Sequence, residues 1–164
     1  MKKIQKKVQL GFTMVEMMIA VVVVAIGLLG VAGMQARALS DYKGAETRTL
    51  STYLVYDMVD RMRANIDGVN SGFYDNIDTS QPYVDPGCIS ADCTAALLME
   101  YDAFRWKEEL YESLHGGLGF VERDGASTFF VTVMWDDKRT GATGTGCNPE
   151  DPADMKCYSL RVQL

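Results

Sequence analysis

Few side chains in this sequence have the type and setting for chemistry. One is Glu16, a lone carboxylate in "GFTMVEMMIA" (residues 11–20) at the entrance to an almost unbroken apolar run. A charge held in an apolar setting is costly unless something pairs with it, so Glu16 requires a cation that the run itself does not contain. The others are four cysteines, Cys88, Cys93, Cys147 and Cys157, and a single histidine, His115. An even cysteine count, all of it beyond the apolar run, fits two disulfides in an oxidising compartment. Spacing favours Cys88 with Cys93 and Cys147 with Cys157, because each pair closes a short loop rich in Gly, Pro, Asp and Asn. A four-thiolate zinc site competes, but neither pair has the C-x₂-C spacing typical of one, so no metal is expected.

The remaining polar groups offer little to an enzyme. His115 is placed in the last turn of a helix, where a cation suits the dipole better than it suits catalysis. Glu108 and Glu109 read as a solvated helix face. With the cysteines paired no thiolate nucleophile is left. No catalytic residue, no cofactor and no enzymatic activity is expected.

The element that must position Glu16 is the apolar run. Residues 17–34, "MMIAVVVVAIGLLGVAGM", carry no charge, and at about 1.5 Å per residue they reach about 27 Å, the hydrocarbon thickness of a bilayer. Lys2, Lys3, Lys6 and Lys7 precede it with no acid among them, which leaves the amino terminus in the cytoplasm and sends the rest across the membrane. All 22 acidic residues follow Gly11, against 12 of the 16 basic ones. That balance disfavours nucleic acid as a partner.

Three readings of residues 1–38 compete. A secretory signal with a small-x-small site at Ala36, Arg37 and Ala38 explains the lysines but not Glu16, and its apolar core is too long. A plain signal anchor leaves Glu16 equally unexplained. The third starts from "GFTMVE", which resembles the class III leader junction of type IV pilins and pseudopilins: a basic leader, Gly, Phe-Thr, then Glu at the fifth mature position. The resemblance implies a prepilin peptidase that cuts between Gly11 and Phe12 and methylates the new amine of Phe12. That amine, one helical turn from Glu16, is the missing cation when subunits stack in an apolar filament core. Gly27, Gly30 and Gly33 form either a small-residue strip for close helix approach or a softened stretch of helix.

Beyond the membrane, Val55, Met58, Val59, Met62 and Ile66 recur at helical spacing, and Asp57 and Arg61 stand at i, i+4. No proline interrupts residues 12–66, so one helix of about 55 residues is expected, with its first strong breaker at "DGVNSG". Residues 68–93 read as an irregular connection. A second helix follows, capped by Thr94, with Leu97, Leu98, Tyr101, Phe104, Leu110, Tyr111 and Leu114 near one broad face and a stop at Gly116 and Gly117. "GLGFVER", "STFFVTVMWDD" and "CYSLRVQL" read as three antiparallel strands with a turn at Asp124 and Gly125. Trp106 and Trp135 read as core, and the long loop at 137–156 as a surface that the second cysteine pair staples and that could serve recognition at a tip.

The expected class is α+β, a type IV pilin-like fold with a long amino-terminal helix on a small antiparallel sheet. It divides into a leader (1–11), a transmembrane and filament-core helix (12–34), its amphipathic continuation (35–66) and a periplasmic globular region (67–164). "AIGLLGVAGMQARAL", "YDMVDRMRAN" and a cysteine pair leading into "YDAFRWKEEL" resemble the minor pilin family of type IV pilus modification protein PilV. The resemblance implies a minor pilin that helps prime the pilus and rides at its tip on the cell surface. Its partners would be prepilin peptidase, other minor and major pilins and inner-membrane lipid. A minor pseudopilin of a type II secretion system is the alternative.

Overall fold

The structure, a computed structural model, describes residues 11–90 and 92–164. The leader lysines, Lys2, Lys3, Lys6 and Lys7, lie outside the described residues. Two compact units divide the chain, Met1–Lys43 and Gly44–Leu164. Helix α1, Met14–Ala64, begins in the first and ends in the second. Over residues 17–34 its side chains are apolar all round and exposed, Val22, Val23 and Val24 among them. This stretch is long and apolar enough to cross a membrane, the composition expected where lipid rather than protein covers a helix. The helix stays unbroken through Gly27, Gly30 and Gly33, so no local melting accompanies those glycines here.

The second unit holds the core. After α1 come α2 (Ile66–Asn70), β1 (Asn76–Asp78), α3 (Ala95–Ser113), β2 (Leu118–Arg123), β3 (Thr128–Trp135) and β4 (Lys156–Gln163). The strands form one antiparallel sheet in the order β1-β2-β3-β4. Strand β3 alternates as a half-buried strand should: Phe129, Val131 and Val133 face inward, and Thr128, Phe130 and Thr132 lie on the more open face. The inward row meets Val55, Met58, Val59 and Met62 of α1 and Trp106 and Leu110 of α3 in a single core cluster.

Four sequence expectations need correction. Ile66 leaves the apolar stripe, because α1 stops at Ala64 and Asn65 adopts a non-helical backbone while its side chain caps α2 by accepting from Gly68 N–H; Ile66 is then exposed. The supposedly irregular stretch 68–93 contains β1, so the sheet has four strands rather than three. Helix α3 turns a different face inward: Asp102, Ala103, Trp106 and Leu110 are buried, whereas Leu97 and Tyr111 are exposed. Apolar residues surround α3 on most sides, so periodicity alone left its rotation open, and the charges of α1 described below decide it. Finally, His115 lies past the end of α3 rather than in its last turn, where its carbonyl accepts from Asp136 N–H at 2.8 Å.

Candidate functional site

In the first unit the site is the start of α1. Gly11, Phe12 and Thr13 precede the helix. Thr13 caps it: the Thr13 hydroxyl accepts from Glu16 N–H at 3.3 Å, and the Thr13 carbonyl accepts from Met17 N–H at 3.2 Å. Thr-x-x-Glu is the pattern of a capping box, in which the acid three residues on sits among unpaired N–H groups and the positive end of the dipole. Thr13 is a positioning residue that sequence reasoning passed over, although its T-x-x-E signal stands in plain view beside Glu16. Phe12 is 78% exposed, so its backbone nitrogen and the carboxylate of Glu16 both belong to an open helix end.

In the second unit a partly buried polar clasp ties α1 to α3. Arg61 Nε meets Asp57 Oδ2 at 2.6 Å, its Nη2 meets Glu109 Oε1 at 3.0 Å, and its Nη1 lies 3.7 Å from Asp102 Oδ1. Asp102 also accepts from the Tyr74 hydroxyl at 2.5 Å, and that hydroxyl accepts from Asn65 Nδ2 at 3.0 Å. Asn65 donates as well to the Ala95 carbonyl at 2.8 Å. One cation thus faces three carboxylates. Burial pushes Asp102 above the usual carboxylate range, and the Tyr74 bond and Arg61 only partly offset it. Burial likewise pushes Glu109 up against the pull of Arg61. Tyr74 is raised by burial and then by its bond to Asp102, so it remains a donor. Burial works against the Arg61 charge, but Asp57, Glu109 and Asp102 outweigh it. Glu109 is therefore not part of a freely solvated face.

Sequence reasoning found the Asp57–Arg61 pair but missed Asn65, Tyr74 and Asp102. The signal available was Asp102 itself, an acid one turn before Trp106 on the same face of α3. Every polar side-chain atom buried among the described residues has a partner, so the clasp is a satisfied cross-tie rather than a reactive centre.

Two disulfides close the loops of this unit, Cys88–Cys93 with Cα atoms 5.5 Å apart and Cys147–Cys157 with Cα atoms 5.6 Å apart. The longer loop has further ties. Lys156 Nζ pairs with Asp137 Oδ2 at 2.7 Å, Asn148 N–H donates to Asp154 at 3.0 Å, and Gly144 bridges to Asp154. Asp136 accepts from Gly141 N–H at 2.7 Å. Burial pushes this carboxyl up, but the backbone donors of Gly141, Thr140 and Ala142 outweigh it and hold it below its ordinary range. Both tryptophans are core: Trp106 is fully buried with its indole N–H donating to the Leu54 carbonyl at 2.9 Å, and Trp135 is nearly so.

Residues 6–32 match the prokaryotic N-terminal methylation motif, and residues 33–104 match the family described as type IV pilin Tt1218. Comparisons with curated proteins and with solved structures gave no match. An apolar amino-terminal helix carrying the methylation motif, continued into an α+β domain with a four-stranded antiparallel sheet, defines the pilin class. The chain is a type IV pilin-like protein. The methylation motif further implies processing by prepilin peptidase and a membrane anchor that enters pilus assembly.

Proposed function

We propose that the chain is a minor pilin, without catalytic activity, that helps prime the type IV pilus and stays at its tip. The observation that carries this reading is the start of α1, where a threonine-capped helix sets Glu16 one turn from Phe12 inside a segment matching the methylation motif. In this reading residues 1–11 are a leader removed between Gly11 and Phe12, and the amine of Phe12 is methylated. Residues 12–34 then span the inner membrane and later sit in the filament core, 35–66 continue the helix, and 67–164 form the periplasmic domain. The cation made by cleavage meets Glu16 of a neighbouring subunit. Correct docking is rewarded because a misplaced subunit leaves both charges unpaired in a dry setting.

The resemblance to the PilV family supports a minor role. The stapled loop at 137–156, with Arg48 and Trp135, walls a cleft of about 620 Å³ that is a reasonable recognition surface at a tip. Mass analysis of the mature protein tests the processing step: a methylated start at Phe12 is expected, and a start at Leu39 would restore an ordinary signal peptide. Co-purification of the intact priming complex tests the rest. Recovery with other minor pilins and with pilus tips supports the proposal, whereas recovery only with type II secretion components makes the chain a minor pseudopilin.

A further inference from the structure

We propose that the free edge of β4 is a self-association surface, on which two copies of this chain pair β4 with β4 in antiparallel sense about a two-fold axis at Leu160. The two edges of the sheet differ sharply. β1 has three residues and runs into a connection with Pro82, Pro86 and the Cys88–Cys93 cross-link, devices that blunt an edge. β4 has eight residues, no proline and no bulge, in continuous register with β3 from Thr128↔Gln163 to Trp135↔Lys156. Its direction of bonding follows from one contact, Leu164 N–H to the Ser127 carbonyl at 2.9 Å. Alternation along an antiparallel strand then turns the amides of Tyr158, Leu160 and Val162 toward β3 and those of Cys157, Ser159, Arg161 and Gln163 outward. The outward groups form a row ready for another strand.

The side chains say which strand fits. Tyr158, Leu160, Val162 and Leu164 pack on the rim of the core but stay only partly buried, so whatever pairs with β4 should extend an apolar row. A second β4 does this. With the axis at Leu160, Leu160 meets its own copy, Tyr158 meets Val162 of the partner, and Ser159 exchanges both backbone bonds with Arg161 of the partner. A two-residue shift one way would set Arg161 against itself, which like-charge opposition disfavours. The same shift the other way keeps the length of overlap but drops Gln163 from the pairing and leaves Leu164 uncovered. The pairing is isologous, so it closes at two copies instead of propagating. It uses a surface separate from the apolar helix and from Glu16.

Leucine 160 would face its copy as a non-hydrogen-bonded pair, with Cα atoms about 4.5 Å apart. Full-length Leu160→Cys in detergent, mildly oxidised, should therefore give a disulfide-linked dimer on a non-reducing gel. Val162→Cys on the same face should not, because its copy would lie about 13 Å away. Ser159→Pro removes an outward N–H and no backbone bond to β3; it also gives up the exposed hydroxyl contact of Ser159 with Thr132 at 2.8 Å, which Ser159→Ala removes alone. In the Leu160→Cys background Ser159→Pro should therefore abolish the dimer while Ser159→Ala keeps it and the two thermal melts stay close. Equal cross-linking at 160 and 162, or a dimer that survives Ser159→Pro, overturns the proposal. Should Leu160→Cys fold poorly, sedimentation of the unmodified chain decides: a monomer at tens of micromolar overturns it, and a dimer dispersed by Ser159→Pro supports it.

Discussion

Glu16 and Asp102 are both carboxylates among apolar neighbours in sequence, yet they stand in opposite situations. Asp102 has its partners within the chain, namely Tyr74 and Arg61; in the proposed function Glu16 finds its partner only in another subunit. Glu16→Ala should accordingly be processed, inserted and folded as wild type but fail to support piliation, counted as sheared pili from a strain carrying only that variant. Loss of processing would instead assign Glu16 to the peptidase. For Asp102 the pH dependence has a definite sign. Its carboxyl, like that of Glu109, is raised in the folded chain, so the stability it contributes is present in acid and is lost as pH climbs through the raised value. Asp102→Asn still accepts from Tyr74 and does not titrate. Relative to wild type it should gain stability as pH rises from the acid end of the carboxylate range to neutrality, measured by urea unfolding across that range. Asp102→Ala should instead cost about 1–3 kcal/mol, because it strands the buried Tyr74 hydroxyl.

At the scale of elements, what was legible followed periodicity, and what was hidden depended on contacts distant in sequence. The long helix, the Thr94 cap and strands β2 to β4 are written in runs of apolar and β-branched residues bounded by Gly, Asp and Pro. β1 is not, since only Ile77 of its three side chains is buried. It is held instead by Arg123, which donates to Asp75 at 2.6 Å and to the Val69 carbonyl at 2.7 Å, and by Thr79, whose hydroxyl accepts from Gly119 N–H at 2.8 Å. None of those partners is near in sequence. The inward face of α3 was misread for the same reason, since Arg61 on another helix fixes it. In the candidate site, Glu16 at the start of α1 was legible, whereas its Thr13 cap was passed over and the Asn65–Tyr74–Asp102 chain was not legible. The stapled loop yields an element-scale prediction. Replacing Cys147 and Cys157 together by Ser should lower stability by about 2–3 kcal/mol by the loop-entropy account. It should also open residues 137–156 to proteolysis while the β-sheet circular dichroism signal persists.

For the whole molecule, the distribution of charge matters more than its total. The formal net charge is −6, but in sequence Lys2, Lys3, Lys6 and Lys7 precede, and every acid except Glu16 follows, a stretch able to cross a membrane. Such asymmetry orients insertion. The chain should remain with membranes after alkaline carbonate washing and leave them only with detergent. A reporter that is active only in the periplasm, fused after Leu164, should be active. Replacing Lys2, Lys3, Lys6 and Lys7 by Gln should reduce that activity and leave more chain untranslocated, which protease protection in spheroplasts would measure.

The close approach of α3 to β2 has a consequence for how this domain can change over time. Trp106 lies so near Gly119 that a methyl group added there would fall about 2.4 Å from the indole ring, and Leu110 crowds the same point. The two positions therefore share one volume. Gly119→Ala alone should be unfavourable by about 1–3 kcal/mol through overpacking, and Trp106→Phe alone should be unfavourable through the space it empties. Made together they should cost less than their sum, and a denaturation cycle of the four variants would register the difference as coupling. Homologous domains that carry a side chain at the glycine position should then carry a smaller ring on the helix, so that the two sites drift as a pair.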